Sequence, residues 1–164
     1  RIVAAADAIL NSRQVLFIGA GTSGITARYA FTRLFRVGIP CRAEIDPVIF
    51  TMESAVMTED DTLFAVSSSG RTKSVVNAAE QARSRGATVI SLSDYAISPL
   101  NNTANITLYT TPRNVNIFTN VEMPLLVGQI ALVDVLFAAV GVRAGESADA
   151  MYAVTKQAAD GMKR

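Results

Sequence analysis

There is no histidine anywhere in the 164 residues, no tryptophan, and one cysteine, Cys41. A single cysteine excludes an intrachain disulfide. Without a Cys/His cluster there is no zinc site either, and no metal or other cofactor is expected. The missing histidine excludes a Ser-His-Asp triad and any imidazole base within these residues. Charge of one sign is also lacking: 15 basic residues face 14 acidic ones, a net charge of +1. No strong overall field draws such a chain to nucleic acid or to an anionic membrane. What remains is apolar: 50% of the residues are hydrophobic and 18% are charged. That supports a well-buried core and excludes a disordered chain.

The length suits one domain spanning residues 1–164. The start at Arg1 lacks the basic and apolar pattern of a signal peptide, so a cytoplasmic protein is the expectation. The run from Met123 to Val142 is apolar enough to raise the question of a membrane span. Gln129 and Asp134 interrupt it and no basic cluster flanks it, which predicts a buried or interface helix instead. Asp134 should then need a buried partner, a backbone group or a hydroxyl.

Strand and helix signals alternate along the chain. Val15 to Ile18, Leu63 to Val66 and Thr88 to Leu92 are continuous apolar or β-branched runs, suited to strands covered on both faces. Cys41 to Ile45 and Ile106 to Tyr109 read as two further strands. Between them, Ala27, Ala30, Phe31, Leu34 and Phe35 share one helical face, as do Val75, Val76, Ala79 and Ala82. Short helices are predicted over Ile2 to Leu10 and within Asp46 to Met57. Pro99 to Asn102 reads as a connector. A long helix is predicted from Val121 to Val140, and a final one carries Ala148, Met151, Tyr152, Thr155, Ala159 and Met162. Strands separated by helices pair in parallel through crossovers. The predicted fold is therefore α/β: one open, doubly wound, five-stranded parallel sheet, a flavodoxin- or Rossmann-like three-layer sandwich.

In such sheets ligands sit at the carboxyl ends of the strands, where the winding reverses. Two loops qualify. Gly19-Ala20-Gly21-Thr22-Ser23-Gly24 reads as GxGxxG between a strand and a helix, and Glu44 follows at the distance of a ribose-binding acid. A dinucleotide site or a plain tight turn both account for it. Ser67-Ser68-Ser69-Gly70-Arg71-Thr72 sets four hydroxyls at a helix start. One N-cap needs one hydroxyl, whereas four suit the oxygens of a phosphate facing free N–H groups.

These two loops resemble those of the sugar isomerase (SIS) domain. Gly86 to Leu92, Ser98-Pro99-Leu100 and Ala104 to Leu108 extend the likeness, which covers roughly Ser12 to Arg143. The stretch Gln129-Ile130-Ala131-Leu132-Val133-Asp134-Val135-Leu136 resembles the ending of RpiR-type transcriptional regulators. The resemblance implies a phosphosugar site in which Ser67, Ser68, Ser69 and Thr72 hold the phosphate and Ser23 contacts sugar or phosphate. Gly21, Thr22 and Gly70 would shape it. Arg71 and Glu122 are further candidates, Glu122 as proton shuttle only if the domain is an isomerase; otherwise no catalytic residue is expected. Departures are Leu125-Leu126, where related regulators often carry Ser-Arg, and Gly24, where many relatives have a larger residue.

The resemblance implies a non-catalytic sensor: the effector domain of an RpiR-type regulator of carbohydrate metabolism, with a sugar phosphate as ligand. Its DNA contact would come from a helix-turn-helix domain outside this chain. An SIS sugar-phosphate isomerase is the alternative, and a dinucleotide-binding domain the third reading. A homodimer is expected from the apolar excess of the long helix and the last one.

Overall fold

Parallel pairing throughout is what the computed structural model shows; it describes residues 1–110 and 126–162. The strands are β1 (Gln14–Gly19), β2 (Cys41–Glu44), β3 (Asp61–Val66), β4 (Thr88–Ser93) and β5 (Ile106–Tyr109). They lie in the order β2-β1-β3-β4-β5. In register, Phe17 lies beside Phe64, and Phe64 beside Ile90. The order runs outward in both directions from β1 and β3, so the winding reverses between them, as the alternating pattern predicts.

Alternate side chains of each central strand enter different layers. Val15 and Phe17 of β1 join Phe64, Val66, Ile90 and Leu92 on one face. That face is covered by α1 (Ile2–Leu10), α2 (Thr22–Phe35), α6 (Leu126–Ala144) and α7 (Glu146–Asp160). Leu16 and Ile18 turn to the other face with Leu63, Ala65 and Val89. There α3 (Pro47–Ala55), α4 (Lys73–Ser84) and α5 (Pro99–Thr103) complete the sandwich. Each fully buried Leu, Ile or Phe here contributes about 1.5–3 kcal/mol over leaving it exposed. Of the four buried residues on the inner face of α4, three are alanines, Ala78, Ala79 and Ala82, which bring the helix close to the sheet without loss of side-chain entropy.

Three local expectations need correction. Pro99 to Asn102 belongs to a helix. Five residues are too few for periodicity to show, but Ser98 accepts the Asn101 N–H at 3.2 Å and Pro99 fills the first turn. Asp134 is half-exposed rather than buried, because it lies on the flank of α6. It accepts from the Tyr29 hydroxyl at 2.7 Å and pairs with Arg33 at 2.9 Å. The Arg33 guanidinium also lies 4.1 Å from the Phe137 ring centre. The predicted start of the long helix lies outside the described residues, and its end runs on to Ala144.

Two ionisable groups report the packing. Burial pushes the half-buried Cys41 thiol up to about 12, consistent with an inert thiol. Asp61 opens β3 in the interior. Burial alone would raise its pKa. The Arg13 guanidinium at 2.8 Å and the Thr58 N–H and hydroxyl at 2.9 and 3.1 Å outweigh that and hold it below the usual carboxylate range.

Candidate functional site

Both candidate loops leave the carboxyl edge of the sheet at the winding reversal, one after β1 and one after β3. The first is closed by glycine. A Cβ on Gly19 would sit 2.6 Å from the Ser23 carbonyl oxygen, so only glycine lets the first turn of α2 seat on the end of β1. Gly21 takes φ +58° and caps α2 without any side-chain bond. Gly21 and Thr22 are exposed, whereas Ser23 is buried at the floor of the loop. The departure at Gly24 has a packing reason: a Cβ there would lie 3.0 Å from Ile45 Cγ2.

The second loop turns on Gly70, at φ +64°. Its N–H donates to the Ser67 carbonyl at 2.9 Å, and its own carbonyl accepts from the Leu100 N–H at 3.0 Å. Ser67 is fully buried and its Oγ lies 3.0 Å from Thr72 Oγ1. Thr72 is the N-cap residue of α4 but makes no capping bond, leaving the first-turn N–H groups without a side-chain partner. Ser69 is exposed; its Oγ accepts the Arg71 N–H at 3.2 Å, which keeps the hydroxyl proton available. Arg71 is exposed and has no ion-pair partner among the described residues.

The two loops touch. Ser68 donates its backbone N–H to Ser23 Oγ at 3.2 Å. Ser23, Ser67, Ser68 and Thr72 are thus brought together beside two helix N-termini that no side chain caps. Backbone N–H groups, helix dipoles and hydroxyl donors converge, which is chemistry for an oxyanion. Among the described residues no group of three or more His, Cys, Asp or Glu stands ready to hold a metal ion. Glu122 and Leu125 lie outside the described residues. Glu44 is turned away from ribose recognition: its Oε1 accepts the N–H groups of Ile45 and Asp46, both at 2.8 Å, and closes the turn into α3.

Two residues were not singled out for the site by sequence. Gln129, fully buried on α6, accepts from Thr26 Oγ1 at 2.9 Å. Its Nε2 donates to Ser68 Oγ at 2.9 Å and to Asp94 Oδ1 at 2.8 Å. Asp94 follows β4 and also accepts from Thr110 Oγ1 at 2.9 Å. The signal for Gln129 was an amide in an otherwise apolar helix. Asp94 carried none.

A family model described as the SIS domain matches residues 8–139. The chain belongs to the SIS domain family. An uncharacterised HTH-type transcriptional regulator of Caldanaerobacter subterraneus is 34% identical over 81% of this SIS domain and 47% of that protein. The chain spans about half the length of the curated regulators it matches first. Among solved structures, Vibrio vulnificus NanR complexed with ManNAc-6P is 28% identical with a TM-score of 0.86, covering 96% of this chain and 59% of that one. The sugar isomerase domain of an RpiR transcription factor from Sphaerobacter thermophilus is 27% identical with a TM-score of 0.83, covering 95% and 85%.

Proposed function

We propose that this SIS domain is the phosphosugar-sensing domain of an RpiR-type transcriptional regulator of carbohydrate metabolism. The observation that carries the reading is the contact between the two loops at the winding reversal, where Ser68 N–H meets Ser23 Oγ beside two uncapped helix N-termini. Ser67, Ser68, Ser69 and Thr72 hold the phosphate, with Gly70 shaping their loop. Ser23 and the exposed Gly21 and Thr22 face the ligand from the first loop, and Arg71 adds a cation at the rim. The likeness to NanR with ManNAc-6P supports a phosphorylated sugar as effector. A helix-turn-helix segment outside these residues would read DNA, in the cytoplasm, and the domain would work as a homodimer.

Sensing is favoured over isomerisation by residue chemistry. Aldose–ketose isomerisation needs a base at C2 and a group that opens the ring. These residues hold no imidazole; of the two buried carboxylates among the described residues, Asp61 pairs with Arg13 away from the loops, and Asp94 is taken up by Gln129 and Thr110 behind Ser68.

Calorimetry with a panel of hexose and pentose phosphates tests the site. Ser69→Ala and Thr72→Ala each remove a hydrogen bond to a charged group, worth roughly 1.5–3 kcal/mol, so affinity falls about ten- to a hundredfold per change. Unchanged affinity in both variants refutes the assignment. Incubating the bound sugar phosphate in D₂O separates the two activities. A sensor leaves C2 unlabelled, whereas deuteration that vanishes in Glu122→Gln makes the domain an isomerase.

A further inference from the structure

The hydrogen bonds around Gln129 have only one consistent polarity. Asp94 Oδ1 is a carboxylate oxygen and accepts, so the atom 2.8 Å from it must be the amide nitrogen. The amide oxygen therefore faces Thr26, which donates to it at 2.9 Å. The second N–H of the same nitrogen points to Ser68 Oγ at 2.9 Å, and a nitrogen of this kind can only donate. Ser68 Oγ is thereby fixed as an acceptor toward the protein. Its own proton has no partner to serve on that side and is left for whatever enters the loop.

We infer that Asp94 and Gln129 form a polarity relay that holds Ser68 Oγ as an acceptor from behind and frees its proton for the ligand, making Gln129 a positioning residue for oxyanion recognition. The inference rests on the phosphosugar reading of the loops and deepens it. A serine left to rotate can spend its proton on a protein acceptor; one held as acceptor from behind keeps the proton, with one lone pair, on the ligand side. The order of groups favours a ligand atom rich in lone pairs, such as a phosphate oxygen. The relay also ties the ligand loop to α6 and, through Thr26, to α2. Each of the four groups lies on a different element or loop, so no local sequence rule would place them together.

Gln129→Glu is the telling variant, because shape is kept while the donor becomes an acceptor. Ser68 then turns its proton inward, and a second carboxylate faces Asp94. Like charges at that distance raise the proton affinity of the pair. The charged groups that contact the helices around α6 are distant from this point. Tyr29 and Arg33 of α2 engage Asp134, and Asp7 of α1 engages Arg143, both further along α6. Gln129→Met removes the donor, keeps the volume and adds no charge.

The experiment is calorimetry with ManNAc-6P on the wild type and both variants at pH 8 and pH 6, with thermal unfolding to confirm that each is folded. Gln129→Met binds about tenfold more weakly than wild type at both pH values. Gln129→Glu binds about a hundredfold more weakly at pH 8, and the deficit narrows at pH 6 as the carboxyl pair takes up a proton. Taking each ratio to wild type at the same pH cancels the ligand's own titration. Equal deficits of Gln129→Glu at the two pH values mark a merely structural Gln129 and overturn the inference, as does unchanged affinity in Gln129→Met. If Gln129→Glu does not fold, a cycle with Ser68→Ala decides: adding Gln129→Met to Ser68→Ala costs little further affinity when Gln129 acts through Ser68, and its full loss of about tenfold there overturns the inference. Failure of the wild type to bind ManNAc-6P and inorganic phosphate would overturn the phosphosugar reading together with the relay; normal wild-type binding with insensitive variants would overturn the relay only.

Discussion

Gly70→Ala isolates how tightly the second loop is built. Gly70 has φ +64°, a conformation that costs a non-glycine residue roughly 1–2 kcal/mol. A Cβ at this position would lie 2.2 Å from Ser98 Oγ and 2.4 Å from Ser98 Cβ. Ser98 is buried and caps α5, so it has little room to retreat. Overpacking of this kind costs about 1–3 kcal/mol. Stiffening the unfolded chain returns a few tenths to about 1 kcal/mol. The net expectation is a loss of roughly 1–5 kcal/mol, or about 2–20 °C in melting temperature for a domain of this size. The second variant separates the two causes. Ser98→Ala leaves the Cβ at 2.4 Å and relieves little, whereas Ser98→Gly removes both clashing atoms. In a double-mutant cycle read by urea unfolding, Gly70→Ala should cost about 1–3 kcal/mol less on the Ser98→Gly background. The backbone cost should persist on either background. A Gly70→Ala protein within about 0.5 kcal/mol of wild type would refute the strain. Equal relief by Ser98→Ala and Ser98→Gly would refute the clash with Cβ.

Asp61→Asn tests the depressed carboxyl at the start of β3. A folded pKa below the unfolded value stabilises above the ordinary carboxylate pKa of about 3.9, and that contribution is lost as pH falls through the folded value. The substitution should therefore destabilise by roughly 1.5–3 kcal/mol at pH 7, with the gap to wild type closing as the pH is taken below 4 in urea titrations; a pH-independent gap would refute the charge argument. Sedimentation at micromolar concentration should show an isologous dimer, since Val127 and Val142 on α6 are 75% and 83% exposed and Met162 is 87% exposed. A monomer would count against the assembly.

How much of this was legible in the chain depends on the range of the interaction. The strands announced themselves because Leu16, Phe17 and Ile18, or Leu63, Phe64 and Ala65, must be apolar on both faces of a covered sheet. The two loops were legible because glycine and serine cluster where strands hand over to helices, and four hydroxyls exceed what one N-cap needs. The family resemblance then implied which hydroxyls would hold a phosphate. Helix α5 was not legible, since five residues carry no period and its start depends on one serine and one proline. Asp134 misled because an acid in an apolar run reads as buried, whereas its position on the flank of α6 lets Tyr29 and Arg33 reach it from α2.

Gln129 shows where the boundary falls. Its partners Asp94, Ser68 and Thr26 lie 35, 61 and 103 residues away in sequence. No local rule reaches that far. Yet a buried amide without partners costs about 1–3 kcal/mol, so a glutamine on an apolar helix requires polar partners across the fold. The sequence carried the requirement, and the sheet order supplied the partners. Only with β1, β3 and β4 side by side do the loop after β3, the end of β4 and the first turns of α2 meet one residue of α6. The same order decides direction as well as contact. Because the chain of bonds begins at a carboxylate that can only accept, it ends at a hydroxyl whose proton is left to give.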